Sequence, residues 1–109
     1  MSGVPELLIL QLLGRSEMYG YELVTELERV TGDRIRLGDG VVYPQLHTLE
    51  RGGHLLSRRE VVSGRPRVYY RLSAKGRRRL SSLRADWSHT TTAVDLVLNL
   101  PGAARVEPT

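Results

Sequence analysis

The apolar positions of this chain change period twice, and each change marks an element. Leu7, Leu8, Ile9, Leu10, Leu12 and Leu13 are apolar almost all round a helix. Such a helix must be buried on more than one side, by the rest of the domain or by a second subunit. Pro5 suits its first turn, Glu6 its positive end, and Gly14 is expected to end it. Gly20 opens a second helix, with Leu23, Val24 and Leu27 at three- and four-residue spacing. Glu22, Glu26 and Glu28 are expected to face away, and Gly32 to close it. A third helix is bracketed by Gly38-Asp39-Gly40 and Gly52-Gly53. Val42, Leu46 and Leu49 share a narrow arc there, leaving Gly40, Val41, Pro44, His47, Thr48 and Arg51 on the outer face. Pro44 has no N–H and is tolerated only near a helix start, which places the first turn close to Gly40.

Beyond Gly53 the pattern turns to strands. Leu55–Val62 and Val68–Leu72 read as a hairpin around the turn Ser63-Gly64-Arg65-Pro66-Arg67. Ser73 is then a natural N-cap for a last, long helix. Leu80, Leu83, Trp87, Thr90, Val94 and Val97 recur on it with a period near 3.5, the spacing of a helix–helix seam. Thr90, Thr91 and Thr92 form a weak patch within it, and Pro101 stops it. Three short helices, a hairpin and a long helix predict a mostly α fold with a small β-hairpin (α+β), a winged helix-turn-helix. Residues 4–73 are expected to form the nucleic-acid-binding domain, 74–100 a dimerisation helix and 101–109 a flexible tail. Leu8 and Leu12 on the first helix, with Leu80, Leu83, Trp87, Val94 and Val97 on the last, are the candidate dimer contacts. One short chain cannot cover both stripes alone.

Composition narrows the chemistry. A chain of 109 residues suits one domain with a single modest core. The absence of cysteine excludes disulfides and thiolate metal sites and is compatible with a cytoplasmic location. No apolar run reaches membrane-spanning length, so no membrane partner is expected. His47, His54 and His89 lack ligand spacing, and no nucleophile has a matching base, so neither catalysis nor a metal or cofactor is expected. The formal charge is only +4, but it is unevenly placed. Arg58, Arg59, Arg65, Arg67, Arg71, Lys75, Arg77, Arg78, Arg79 and Arg84 are ten of the sixteen cationic residues, and between Arg58 and Arg84 they face one acid, Glu60. Such concentration suits a polyanion. The bias to arginine fits planar, bidentate phosphate recognition and equally fits a GC-rich genome.

The candidate contacts follow from that distribution. Arg65 and Arg67 flank Pro66 at a stiff basic tip suited to backbone or minor-groove contact, with Arg58, Arg59 and Arg71 extending the stripe. On the third helix Gln45, His47 and Thr48 are the polar readers of base edges, and Arg51 suits a phosphate. Tyr43 reads both as a core aromatic and as a hydroxyl reaching a phosphate. The rival function is a winged-helix module that binds protein, which calls for an apolar third-helix face and a short or acidic wing.

Three stretches carry a resemblance. Met18-Tyr19-Gly20-Tyr21-Glu22-Leu23, Gly40 to Gly53 around Tyr43-Pro44-Gln45-Leu46, and Gly64-Arg65-Pro66-Arg67-Val68-Tyr69-Tyr70-Arg71-Leu72-Ser73 together resemble the PadR family of bacterial transcriptional regulators. The likeness spans about residues 5 to 90. It implies a homodimeric winged-helix repressor that binds a double-stranded DNA operator and dimerises through its C-terminal helix, as in the compact subfamily. It also implies a role for Trp87, because a tryptophan in the corresponding stretch of compact members lines a central cavity and stacks flat aromatic effectors. Plain dimer packing is the other reading of Trp87. The chain departs from the family where Ser-Pro-Gly-Thr is usual: Gly38, Asp39, Gly40 and Val41 stand there. Two hydroxyls are lost, and Asp39 either adds negative charge or caps the helix.

Overall fold

The structure is a computed structural model that describes residues 3–102. Seven elements follow in order: α1 (Val4–Arg15), β1 (Met18–Tyr19), α2 (Gly20–Val30), α3 (Asp39–Arg51), β2 (Leu55–Val62), β3 (Arg65–Leu72) and α4 (Ala74–Leu98). The α+β class and the three-helix, hairpin, long-helix order are those expected. The sheet has three antiparallel strands rather than two, in the order β1-β3-β2. The extra strand, β1, pairs Met18 with Tyr70 and Tyr19 with Tyr69. Two residues are too few to show alternation, so nothing in the sequence marks it.

One core holds these elements together. Ile9, Leu10 and Leu13 of α1 meet Leu23 of α2, Val42, Leu46 and Leu49 of α3, and Leu55, Tyr70 and Leu72 of the sheet. Each such aliphatic side chain contributes about 1.5–3 kcal/mol on burial. The arc Val42–Leu46–Leu49 is the one its spacing predicts. On α2 the polar face differs from expectation. Glu22, Glu26 and Glu28 are half-buried, while Tyr21, Thr25 and Arg29 are exposed. The reason is local pairing: Glu22 accepts from the Tyr19 backbone N–H at 3.1 Å, and Glu26 pairs with Arg29.

Helix limits also shift. α1 runs one residue past Gly14 to Arg15. In α3 the N-cap is Gly38, and Asp39 lies within the first turn without a side-chain capping bond, so it is a first-turn acid and not the cap. Pro44 stands inside that helix, in its second turn. Lacking an N–H, it leaves the Gly40 carbonyl without its usual helical donor. The threonine patch of α4 is uninterrupted helix, with Thr91 Oγ1 donating to the Ser88 carbonyl at 3.1 Å. The 25 residues of α4 measure about 37 Å, and the helix carries the molecule to a long axis of 67 Å. The expected tail beyond Gly102 lies outside the described residues.

The start of α4 is fastened to the α3–β2 turn. Ser73 Oγ donates to the Gly53 carbonyl at 2.5 Å and accepts from the Gly76 N–H at 3.0 Å. Lys75 Nζ donates to the Gly52 carbonyl at 2.7 Å, placing a cation at the negative end of α3. Farther along, Glu6 and Arg79 form an ion pair at 2.8 Å that ties α1 to α4. The Arg79 guanidinium holds the Glu6 carboxyl below the ordinary glutamate range.

Candidate nucleic-acid interface

The core fixes which face of α3 is presented. With Val42, Leu46 and Leu49 buried, Gly40, Val41, Pro44, His47, Thr48 and Arg51 are all exposed. A shallow groove of about 330 Å³ runs between Gly40, Val41, Pro44, Gln45 and Thr48. Gln45 is half-buried along that groove, Thr48 borders it and is exposed, and His47 stands clear. Tyr43 packs beside α2 rather than in the buried core: a Cβ on Gly20 would lie 2.6 Å from its ring, and the residue is 38% exposed. The ring therefore closes the α2–α3 contact, and Gly20 leaves the space it needs.

The hairpin differs from the expected one in a way that matters. Its turn is only Ser63-Gly64, with φ of 52° and 76°, and Arg65, Pro66 and Arg67 belong to β3. Two successive positive φ angles match the right-handed strand twist, and Gly64 adopts its angle at no steric cost. The register pairs Val62 with Arg65, Val61 with Pro66 and Glu60 with Arg67. The basic residues are therefore held on paired strands rather than in the turn itself.

On that ladder the cations are not equivalent. The Arg67 guanidinium carbon lies 4.4 Å from the Tyr19 ring centroid, and that of Arg58 lies 4.6 Å from the Tyr69 centroid. The two rings meet edge to face at 5.4 Å. Arg58 also donates to both carboxylate oxygens of Glu17 and to Glu60 at 3.0 Å. The hydrogen bonds from Arg58 hold the Glu17 carboxyl below its ordinary range. Arg51, Arg59 and Arg65 are exposed and form no salt bridge among the described residues. Reading the sequence singled out every basic residue here, but not the pairing with Tyr19 of β1 and with Glu17 in the turn before it.

The expected dimer contacts separate into two groups. Leu8, Leu12, Leu80 and Leu83 are half-buried, and Leu12, Leu80 and Leu83 pack against the core of their own protomer. Trp87, Val94 and Val97 are exposed, at 42%, 48% and 65%. Trp87 borders an open cleft of about 610 Å³ between α1 and α4, with Val4, Leu7, Leu83, Asp86 and Thr90 along its walls. Among the described residues no group of three or more His, Asp or Glu could hold a metal ion. No helix among them is long and apolar enough to cross a membrane.

Three helices around one core, the third with a polar outward face, and a basic hairpin beside it define a winged helix-turn-helix regulator of transcription. Comparison with known proteins agrees: residues 9–82 match the transcriptional regulator PadR-like family. The chain belongs to that family. It is similar to the transcriptional regulator Rv3488 of Mycobacterium tuberculosis, with 40% identity over 67% of this chain and 65% of the relative. A PadR family regulator from Eggerthella lenta shares 31% identity over 89% of this chain and 82% of that one, at a TM-score of 0.77. A transcriptional regulator from Clostridium thermocellum superposes at a TM-score of 0.80 over 85% of this chain and 91% of that one. At 24% identity, that likeness concerns the fold alone. These relatives are transcriptional regulators.

Proposed function

We propose that the chain is a homodimeric, sequence-specific DNA-binding repressor that acts in a bacterial cytoplasm and is released from its operator by a flat aromatic compound. The observation that carries the DNA reading is the exposed α3 face beside a wing whose Arg59 and Arg65 pair with no carboxylate among the described residues. Gln45, His47 and Thr48 are the base readers, and Tyr43, Arg51 and Arg65 contact the phosphate backbone. Residues 4–73 form the reading domain, and residues 74–100, which hold α4 (Ala74–Leu98), the dimerisation segment. A protein-binding winged helix would call for a short or acidic wing, and this one is eight paired residues long on each strand and basic.

The dimer reading is supported by Leu96, Val97, Leu98 and Leu100, which are 58–68% exposed at the end of α4. A two-fold partner would cover part of this apolar end and set two α3 helices on successive turns of the duplex. The effector reading is supported by Trp87 at the rim of the α1–α4 cleft. Stacking there would favour the α4 arrangement in which the two α3 helices no longer match the groove spacing. The test is binding to a duplex selected by the protein from a random-sequence pool, titrated at several salt concentrations. A selected consensus with affinity well above that for bulk DNA, falling steeply with salt, is the expected result. Equal weak binding to every duplex would refute sequence-specific readout.

A further inference from the structure

The wing has two faces of opposite character. Side chains alternate along a strand, so Leu55, Ser57, Arg59 and Val61 share one face of β2, and Leu56, Arg58, Glu60 and Val62 the other. Ser57 Oγ donates to Glu50 of α3, which fixes the first face as the one turned towards the recognition helix. Arg59 is next on that face, opposite Val68, and is exposed without an ion pair among the described residues. Arg58 and Arg67 lie on the other face. There they are stacked on Tyr69 and Tyr19, and Glu17 and Glu60 compensate Arg58.

We infer that Arg59 is the wing's phosphate contact nearest α3, and that Arg58 and Arg67 are positioning residues that hold the wing against β1. This rests on the DNA-binding reading above. The half-buried Arg67 guanidinium is held against the Tyr19 ring, and that of Arg58, on a ring and between two carboxylates, has little left to give a phosphate. Its desolvation for DNA would also leave Glu17 and Glu60 without their partner. The stack instead ties the wing to Tyr19, the residue just before α2, so the wing angle is set relative to the helix-turn-helix. Arg59 meets none of these restraints. It is aimed along the side of the hairpin that α3 also occupies, and there a phosphate can lie against both. The sequence pattern alone does not separate Arg58 from Arg59; one step along the strand decides it.

The experiment compares salt slopes on a fluorescein-labelled duplex selected by the protein from a random pool, between 50 and 200 mM salt. Arg59→Gln is expected to lower the slope by about 1 and weaken binding to every duplex alike. Arg67→Gln is expected to weaken binding while leaving the slope unchanged. Tyr19→Phe keeps the ring and so the affinity, and Tyr19→Leu reproduces the Arg67→Gln loss. An unchanged slope in Arg59→Gln, or a slope lowered by about 1 in Arg67→Gln, overturns the assignment. The stack is read separately in the DNA-free protein by NMR. The side-chain protons of Arg58 and Arg67 should be shifted upfield by the rings, and those of Arg59 should not. Random-coil positions for all three overturn the positioning role even if DNA binding is intact. Failure of the unaltered protein to bind any duplex instead removes the DNA reading, and the Arg59 contact with it.

Discussion

A Cβ placed on Gly76 would sit 2.0 Å from the carbonyl oxygen of His54. That carbonyl also accepts the Ser73 N–H at 3.1 Å, and the His54 N–H in turn donates to Leu49 of α3 at 2.9 Å. The end of α3, the start of β2 and the first turn of α4 therefore meet at one point with no room for a methyl group. A change in the direction of α4 must be felt by α3.

Gly76→Ala follows from that contact. The neighbour is backbone and cannot rotate aside, so the variant should lose about 1–3 kcal/mol of stability although alanine is the better helix former. Thermal unfolding monitored by circular dichroism measures it. A gain in melting temperature would mean that the first turn of α4 can lift away freely.

The Glu6–Arg79 pair sets a pH dependence. The folded-state pKa of Glu6 lies below its ordinary value of 4.5, chiefly through the hydrogen bond from Arg79. Its contribution is then present in full above that value and lost as pH falls through the lower, folded value. Glu6→Gln should cost about 0.5–1 kcal/mol at pH 7 and nothing at a pH below both values. Chemical denaturation of both proteins across that range checks it, and a difference that persists unchanged in acid would contradict it.

On the dimer reading proposed above, the free half of α4 separates dimerisation from folding. Leu83 packs on its own core, so a charge there would disturb the protomer as well. Val97 is 65% exposed and touches none of that core. Val97→Asp should weaken the dimer by about 1–3 kcal/mol per protomer and leave the melting of the core intact. Light scattering across a micromolar dilution series gives the outcome; a dimer as tight as the unaltered protein's would place the interface elsewhere.

Trp87 is the sole tryptophan and reports on its own cleft. A planar aromatic compound that stacks there should quench its emission and weaken operator binding by the ratio of its affinities for the two dimer arrangements. Calorimetry on Trp87→Ala, which lacks the fluorophore, should show binding lost. If no compound in a broad panel quenches Trp87 or shifts DNA affinity, the residue serves packing alone.

What the sequence determined by itself is whatever repeats along the chain. The three-residue arc of α3, the two strands and the length of α4 each leave a periodic trace, because burial of one face selects every third or fourth, or every second, residue. The clustering of arginine after Gly53 is likewise a property of order alone. Tertiary structure decided which of those arginines are open to a partner. Tyr19 and Glu17 lie far from Arg67 and Arg58 in the chain, and only the pairing of β1 with β3 brings them together. The two-residue turn was hidden for a related reason. Pro66 and its arginine neighbours look like loop chemistry, yet proline fits a strand wherever its missing N–H has no ladder partner to lose. Whether a leucine on α4 serves the core or a second subunit was also a matter of space, because the same stripe begins under α1 at Leu80 and Leu83 and ends in the open at Val97.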